Sequence, residues 1–596
     1  MKSIFCIILI YFFICGKSYS QAIVPSKSAT TFDIIWEKEY RGDGSIVKDI
    51  RPYDYQLYPR NNRNIGSVSM AGTLIGTSVL KIKVIKVDIK GDSSLVYISN
   101  ATLFNKRFRI SIPIVPELCE YSFSYSFDNI IWKPIAEHVV CGDVYIISGQ
   151  SNAFTNDLDS TEVDYLLTTY GPESYFGRYS RTYGDIKKHR GPWHVSSISP
   201  YYQPVSFSVG TWGLILQHNI SKRFRIPTCI INGAVGGTNI DMHMPPDKGP
   251  YFFQDSMTNN NHYFRHLNTR VYEAGLEKDI KGIFWFQGDG GQDGTFPHEY
   301  INRFSGIYAY WQQFFPYFKC SYIIQIHSYS LNNPNLAYKS EDQRIFPTIF
   351  QNCQVMASNS MGPHRKGPEH NIHFQAVSYI ELARRLENLI AKDFYNTSSP
   401  DCEAPDIRYA YKHNDTITIQ FNQEISDTLS DDLVDVIKAI RFDREPVEIY
   451  SPLVNGDCFE FTVSDTSVKK ISYLGILPGS DPDFKCYLKN KNNIGVLTFN
   501  DFPLSSVPKN IDLPKDTNEF QVYPNPADNF FRIHMKSKSP QTLRMYNSAS
   551  QLVLSSKFIY DCEIDCRNFG AGIYSFMIIN QLPPFNIIAS KIIIIH

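Results

Sequence analysis

With 596 residues the chain is long enough for about three to five domains, each with its own core. Its 58 basic and 59 acidic residues nearly cancel, and no long single-sign run stands apart, so neither nucleic acid nor an anionic membrane surface is an expected partner. Aromatic residues make up 14% of the chain and include 38 tyrosines, a composition suited to β-rich domains and to surfaces that face sugars.

The chain opens with Lys2, an apolar stretch from Ile4 to Ile14 and the small-x-small step Ser18-Tyr19-Ser20, which reads as a secretory signal peptide over 1–20. That stretch is too short for a permanent membrane anchor, and no later segment reaches about 18 uninterrupted apolar residues, so no membrane span is expected. Cys15 follows Phe13-Ile14, without the small residue that lipid attachment at a cysteine needs. Removing the signal leaves ten widely spaced cysteines, at 119, 141, 229, 320, 353, 402, 458, 486, 562 and 566. Export permits disulfides, and Cys562 and Cys566 stand close enough to pair across a turn; buried free thiols are the other expectation.

Residues 21–140 alternate apolar and polar, as in Val79-Leu80-Lys81-Ile82-Lys83-Val84 and Tyr121-Ser122-Phe123-Ser124, which predicts an antiparallel β domain. Over 141–398 the pattern changes to short apolar runs (144–147, 228–231, 283–286, 322–326) separated by segments of helical period, the signature of βα units around a parallel sheet. The last helix is marked by Ala376, Ile380, Leu382, Ala383, Leu386, Leu389 and Ile390, with Arg384, Arg385, Glu387 and Lys392 as the polar residues between them. Alternation returns in Thr416-Ile417-Thr418-Ile419 and Phe459-Glu460-Phe461, predicting a second β domain over 399–505 and a polar linker over 506–518.

Four clusters in the central region sit where strands end. Val144 to Ile147 leads through Ser148-Gly149-Gln150 to Ser151-Asn152, and a strand ending in such a turn presents a hydroxyl as a candidate nucleophile. A plain strand-to-helix turn with Ser151 or Asn152 as N-cap is the competing reading. Asn232-Gly233-Ala234-Val235-Gly236-Gly237-Thr238 follows a strand with glycines that let backbone N–H groups approach a developing oxyanion. Phe284-Trp285-Phe286 ends in Gln287-Gly288-Asp289-Gly290-Gly291: Gln287 is a further oxyanion donor and Asp289 an acid able to orient a histidine. A calcium loop is not supported, since the closing glutamate of the twelve-residue pattern is missing. Gly362 to Phe374 carries His364, Glu369, His370 and His373 just before the last helix, and a histidine on such a loop is well placed to be a general base. A metal at His370 and His373 finds no matching ligand spacing elsewhere, so no metal is expected.

Together the Gly-Asp-Val-x-x-x-Ser-Gly-Gln-Ser-Asn run from Gly142, the Gly-Gly-Thr step, Trp-Phe-Gln-Gly-Asp and the His-Phe pair resemble the sialate O-acetylesterase branch of the SGNH hydrolases, which includes acetylxylan esterases. That resemblance implies a multidomain protein whose central flavodoxin-like α/β/α SGNH hydrolase domain is flanked by β-sandwich domains, and a cofactor-free serine esterase that takes acetyl groups from sugars. Carried over, Ser151 is the nucleophile, His373 the base, and the Ser151 amide, Gly236, Gly237 and Gln287 the oxyanion donors. The chain departs from the pattern at His370, where the family has aspartate, at Asp289, where it has glutamate, and at Gly291. The acid that orients His373 is therefore open between Asp289, Glu369 and a backbone carbonyl. A catalytically impaired relative serving as a carbohydrate-binding or adhesive surface protein is the alternative.

The last block, 519–596, opens Tyr523-Pro524-Asn525-Pro526, passes through Gly572-Ile573-Tyr574 and ends in Lys591-Ile592-Ile593. It reads as a small β module and resembles the C-terminal sorting domain of type IX secretion. That implies the type IX machinery as a partner, passage through the periplasm and across the outer membrane, and a secreted or cell-surface protein acting on O-acetylated glycan.

Overall fold

The computed structural model describes residues 32–594 except 41–45, 156–157, 175, 181–192, 199–207, 245–262, 290–295, 328–333, 365–371, 398, 427–432, 434, 445, 476–486, 507–519, 524–526, 528, 536–539, 548–551, 560 and 581–586. The signal segment and nearly all of the 506–518 linker lie outside these residues, as do Glu369 and His370.

One long strand organises the first two thirds of the molecule. β1 (Lys133–Gly149) pairs antiparallel with Cys119–Ser126 at its start, breaks register around His138 in the left-handed region (φ 58°), and continues as the centre of a parallel sheet. Its first part belongs to two antiparallel layers. Asp33–Trp36, Gly66–Ile75 and Arg107–Ile114 form one sheet; Ser93–Asn100, Lys81–Asp88, Cys119–Ser126 and β1 form the other. Their alternation places Val68, Met70, Ile82, Val84, Phe108, Ile112, Tyr121 and Phe123 in a shared core.

Beyond residue 142 the chain builds α1 (Ser151–Phe154), α2 (Ser160–Ser174), β2 (Arg178–Ser180), β3 (Trp193–Val195), α3 (Thr211–Phe224), β4 (Thr228–Asn232), α4 (Tyr263–Ala274), β5 (Ile280–Phe286), α5 (Glu299–Phe314), β6 (Cys320–Gln325), α6 (Pro334–Arg344), α7 (Phe346–Ile349), β7 (Cys353–Ala357) and α8 (Ala376–Phe394). The sheet runs β3-β2-β4-β1-β5-β6-β7, parallel throughout except for the antiparallel edge strand β3. The order reverses at β1, whose neighbours β4 and β5 come later in the chain on either side, so a crevice opens beyond its carboxyl end.

The apolar runs have no alternation because both faces are covered. Adjacent strand residues point to opposite faces, and Phe284 meets Trp212 of α3 (ring centroids 5.6 Å) while Trp285 meets Trp311 of α5 (5.7 Å). Phe394 of α8 lies against Tyr145 on the Phe284 side, and Phe264 of α4 lies against Phe314 on the other. β7, a short Cys-Gln-Val-Met-Ala run, escaped the sequence reading because its glutamine interrupts the apolar signal.

The polar set assigned to α8 needs one correction: Arg385 is fully buried. Its guanidinium bonds Glu381 (2.9 Å) and the carbonyls of Ala357 (2.8 Å), Asn359 (3.0 Å) and Asn493 (2.9 Å), so its charge is paired and its donors are used. Asn493 belongs to the following β unit, in which Ile407–His413, Thr416–Phe421, Cys458–Val463 and Ile449–Asn455 share one sheet while Ile440–Phe442, Lys470–Tyr473 and Phe499–Pro503 form another. Gln325 at the end of β6 exchanges two 2.8 Å bonds with the Thr498 backbone, which docks this unit at the carboxyl end of that strand.

The tail holds a sheet of Phe520–Tyr523, Phe530–Met535 and Asp561–Asp565 and a four-stranded sheet ending in Ile587–Ile594, around Phe531, Ile533, Leu543, Met545, Phe576 and Ile578. Cys562 and Cys566 do not pair: all nine described cysteines are free thiols. The segment from 561 to 565 is extended strand, so the four residue steps from Cys562 to Cys566 span about 13 Å, twice the span a disulfide bridges.

Candidate functional site

β1 ends at Gly149, whose φ of 133° lies outside the comfortable range of residues with a side chain. A Cβ there would sit 2.1 Å from the Phe286 carbonyl oxygen, so only glycine lets β1 and β5 meet at this point. The Gln150 N–H donates to that same oxygen (2.9 Å), and the buried Gln150 side chain accepts from the Gly288 N–H (3.1 Å). The turn then delivers Ser151 as the first residue of α1, half-buried at the crevice.

The N-cap reading does not hold, because Gln150 occupies that position, without a side-chain capping bond, and Ser151 and Asn152 lie inside the helix. α1 lasts a single turn and stops at Thr155 in the left-handed region, where Thr155 and Thr211 exchange hydroxyl and backbone bonds. As the first helical residue, Ser151 carries an N–H with no acceptor inside the helix, pointing the positive end of the turn outward.

The loop after β4 lies over this serine. The exposed Gly236 approaches closely enough that a Cβ on it would be 3.7 Å from the Ser151 Cβ. Its neighbours hold it there: the Val235 N–H donates to the Gly149 carbonyl (3.0 Å), and the buried Asn232 amide donates to the Ala153 and Val209 carbonyls while accepting from the Ala234 N–H. Gly237 follows with φ 72° and open space around it.

The loop after β5 supplies Gln287 and Asp289, both buried. Gln287 Oε1 accepts from the Tyr300 hydroxyl (2.7 Å), and its Nε2 faces the Thr238 carbonyl at 3.4 Å, which fixes the amide between the glycine loop and α5. Asp289 Oδ2 accepts from Asn152 Nδ2 (2.9 Å). The same Nδ2 donates to the carbonyl of Ile372 (3.0 Å), the residue before the half-buried His373. The residue after Ser151, the acid of the Gln-Gly-Asp element and the residue before His373 are therefore joined at one amide.

A family model described as "Carbohydrate esterase, sialic acid-specific acetylesterase" matches residues 141–392, the span that holds all four clusters. This region is a carbohydrate esterase domain of that family. A second model, "Secretion system C-terminal sorting domain", matches residues 521–594, and this tail directs the protein by type IX secretion to the cell surface or extracellular space. No helix among the described residues is long and apolar enough to cross a membrane. A search of curated proteins returned no match. Among solved structures, a carbohydrate acetylesterase from Xanthomonas citri is similar at 14% identity over 75% of this chain and 97% of its own, with a TM-score of 0.47. A protein from Arabidopsis thaliana is similar at 16% identity over 42% of this chain and 99% of its own, with a TM-score of 0.31.

Four features of the esterase domain site escaped the sequence reading. Asn152 was visible in the Gly-Gln-Ser-Asn element, but nothing local shows that its side chain turns inward. Tyr379, which donates to Asn152 Oδ1 (2.8 Å), sits on the apolar face of α8 and reads as core. His327 and His364 stack with ring centroids 4.8 Å apart, and His364 lies 4.1 Å from the ring of Phe374, next to His373. Burial, with a smaller contribution from His364, drives the His327 pKa well below the usual value, so this ring stays neutral. Burial likewise takes His243 down to about 3, and its Nε2 lies 2.8 Å from the Thr238 hydroxyl behind the glycine loop.

Proposed function

We propose that the protein is an exported serine esterase that removes O-acetyl groups from carbohydrate, either sialic acid or an acetylated polysaccharide. The observation that carries this is the seating of Ser151: the first residue of a helical turn at the sheet's order reversal, with Gly236 against it and Asn152 tying its neighbour to Asp289 and Ile372. The order β4-β1-β5-β6-β7, which is 2-1-3-4-5 when these strands are numbered along the chain, with helices on both faces, supports a flavodoxin-like reading of the domain.

In this reading the Ser151 hydroxyl attacks the acetyl carbonyl as His373 takes its proton. The oxyanion is held by the Ser151 amide, the Gly236-Gly237 backbone and Gln287. The sugar oxygen leaves with the proton from His373. Water, activated by the same imidazole, then releases acetate from the acyl-serine. Asp289 is our first choice of acid, since Asn152 links its carboxylate to the Ile372 carbonyl beside His373; Glu369 lies outside the described residues.

Acetate release from acetylated sialic acid and acetylated hemicellulose tests the reading. We expect Ser151→Ala to lower turnover by about 10⁶-fold, the scale of losing a serine nucleophile. Turnover that survives this change would reject Ser151, and no release by the unaltered protein from any acetyl ester would favour a binding protein instead.

A further inference from the structure

Asn152 is completely buried, and each polar group of its side chain is used. Both hydrogens of Nδ2 are donated, one to Asp289 Oδ2 (2.9 Å) and one to the Ile372 carbonyl (3.0 Å), while Oδ1 accepts from the Tyr379 hydroxyl (2.8 Å). Its main-chain carbonyl accepts from Trp212 Nε1 (3.1 Å). The amide can face only one way, because a carboxylate and a carbonyl on one side both require the NH₂ end. Four separate parts of the domain meet on this residue: the loop after β5, the loop before α8, α8 itself and α3.

We propose that Asn152 is the positioning residue for His373, holding the base at a fixed distance from Ser151 through the Ile372 carbonyl and orienting the Asp289 carboxylate with the same NH₂ group. The inference rests on the esterase reading above. Its physical basis is the peptide plane. The Ile372 carbonyl oxygen and the His373 Cα belong to one rigid unit, so clamping that oxygen sets the direction in which the chain enters His373. Asn152 is bonded directly to Ser151, so a single buried amide spans the two sides of the reaction. Asparagine supplies both donations without charge, whereas an aspartate here would have to share one proton with the Asp289 carboxylate, which leaves no hydrogen for the Ile372 carbonyl.

Asn152→Asp in the full chain is the test, because it keeps the shape and takes away the hydrogen that holds the Ile372 carbonyl. We expect kcat on an acetyl ester to fall about tenfold or more with KM within about twofold, the scale of a misplaced catalytic group. We also expect the His373 imidazole, followed by ¹⁵N NMR, to titrate at lower pH, because freeing the Ile372 carbonyl lets the ring move away from the Asp289 carboxylate that favours the imidazolium. An unchanged His373 titration overturns the proposal even where kcat or thermal stability falls, since a merely structural role produces those losses alone. Tyr379→Phe leaves Asn152 in place and releases its Oδ1. It should lower kcat severalfold at unchanged KM, and an unchanged kcat there overturns the proposal if Asn152→Asp does not fold. The NMR titration is repeated in a Ser151→Ala background, where no acetate release is needed. Failure of the unaltered protein to release acetate then counts against the esterase reading and leaves the His373 result to stand by itself.

Discussion

The two ends of the parallel part of β1 solve opposite problems with similar materials. At the lower end Asp143 is fully enclosed, and Arg60 grips it with two 2.7 Å bonds while Lys281 (2.9 Å) and the Tyr395 hydroxyl (2.8 Å) complete its shell. Burial raises its pKa, but the Arg60 and Lys281 charges outweigh that and hold the carboxyl below the usual range. At the upper end the chain leaves Ser151 half-buried, below an exposed glycine pair and beside a histidine loop. Both ends need a glycine for close approach: a Cβ at Gly142 would lie 1.8 Å from the Pro227 oxygen, as one at Gly149 would lie 2.1 Å from the Phe286 oxygen. Polar groups satisfied on every side make an anchor, whereas the same strand left open at its other end makes a reactive crevice.

If that division is right, the ends respond differently to mutation. Where Ser151→Ala abolishes turnover and leaves stability alone, Asp143→Ala should destabilise the esterase domain by about 3 kcal/mol, the low end for breaking a buried pair, because Arg60 and Lys281 keep partial access to solvent. Denaturant unfolding followed by tryptophan fluorescence measures this, since Trp212, Trp285 and Trp311 are all buried in that domain. The comparison breaks if folded Asp143→Ala protein loses kcat as severely as it loses stability.

The pH dependence sharpens the same point. A carboxyl with a depressed folded pKa contributes stability that is complete above its unfolded value of about 3.9 and is lost as pH falls through the folded one. The melting-temperature gap between the unaltered protein and Asp143→Asn should therefore be constant above about pH 4 and narrow below it. The smallest effect is expected from Tyr395→Phe, which removes one of several donors to Asp143 and should cost about 1 kcal/mol in the same denaturation experiment, with acetate release unchanged.

How much of this was legible depended on how local the signal was. The serine turn, the four apolar runs and the amphipathic α8 are written in neighbouring residues, and each stands where spacing predicts. The resemblance to an acetylesterase rested on those same turns and agrees with the family match over 141–392. What stayed hidden depends on partners far along the chain. Arg385 reads as a solvent-facing residue until Glu381 and the carbonyls of Ala357, Asn359 and Asn493 surround it. Asn152 reads as a turn residue until Asp289, Ile372 and Tyr379, 137 to 227 positions away, converge on it. The Cys562 and Cys566 pairing failed for the converse reason: nearness in sequence is not nearness in space along an extended strand.

The nine free thiols have a consequence for a protein bound for the cell exterior. Eight are buried, and burial lifts the pKa of Cys141 and of Cys320 to about 12, so the reactive thiolate is scarce while the chain is folded. No covalent staple helps the described chain to refold, and each opening would release sulfhydryls that the native state keeps inert. Outside the cell, where oxidants are plentiful, an opened molecule has a short time to close before wrong bridges make the change permanent. For this protein durability in the open is then a matter of how seldom it unfolds, more than of how favourable the folded state is once reached.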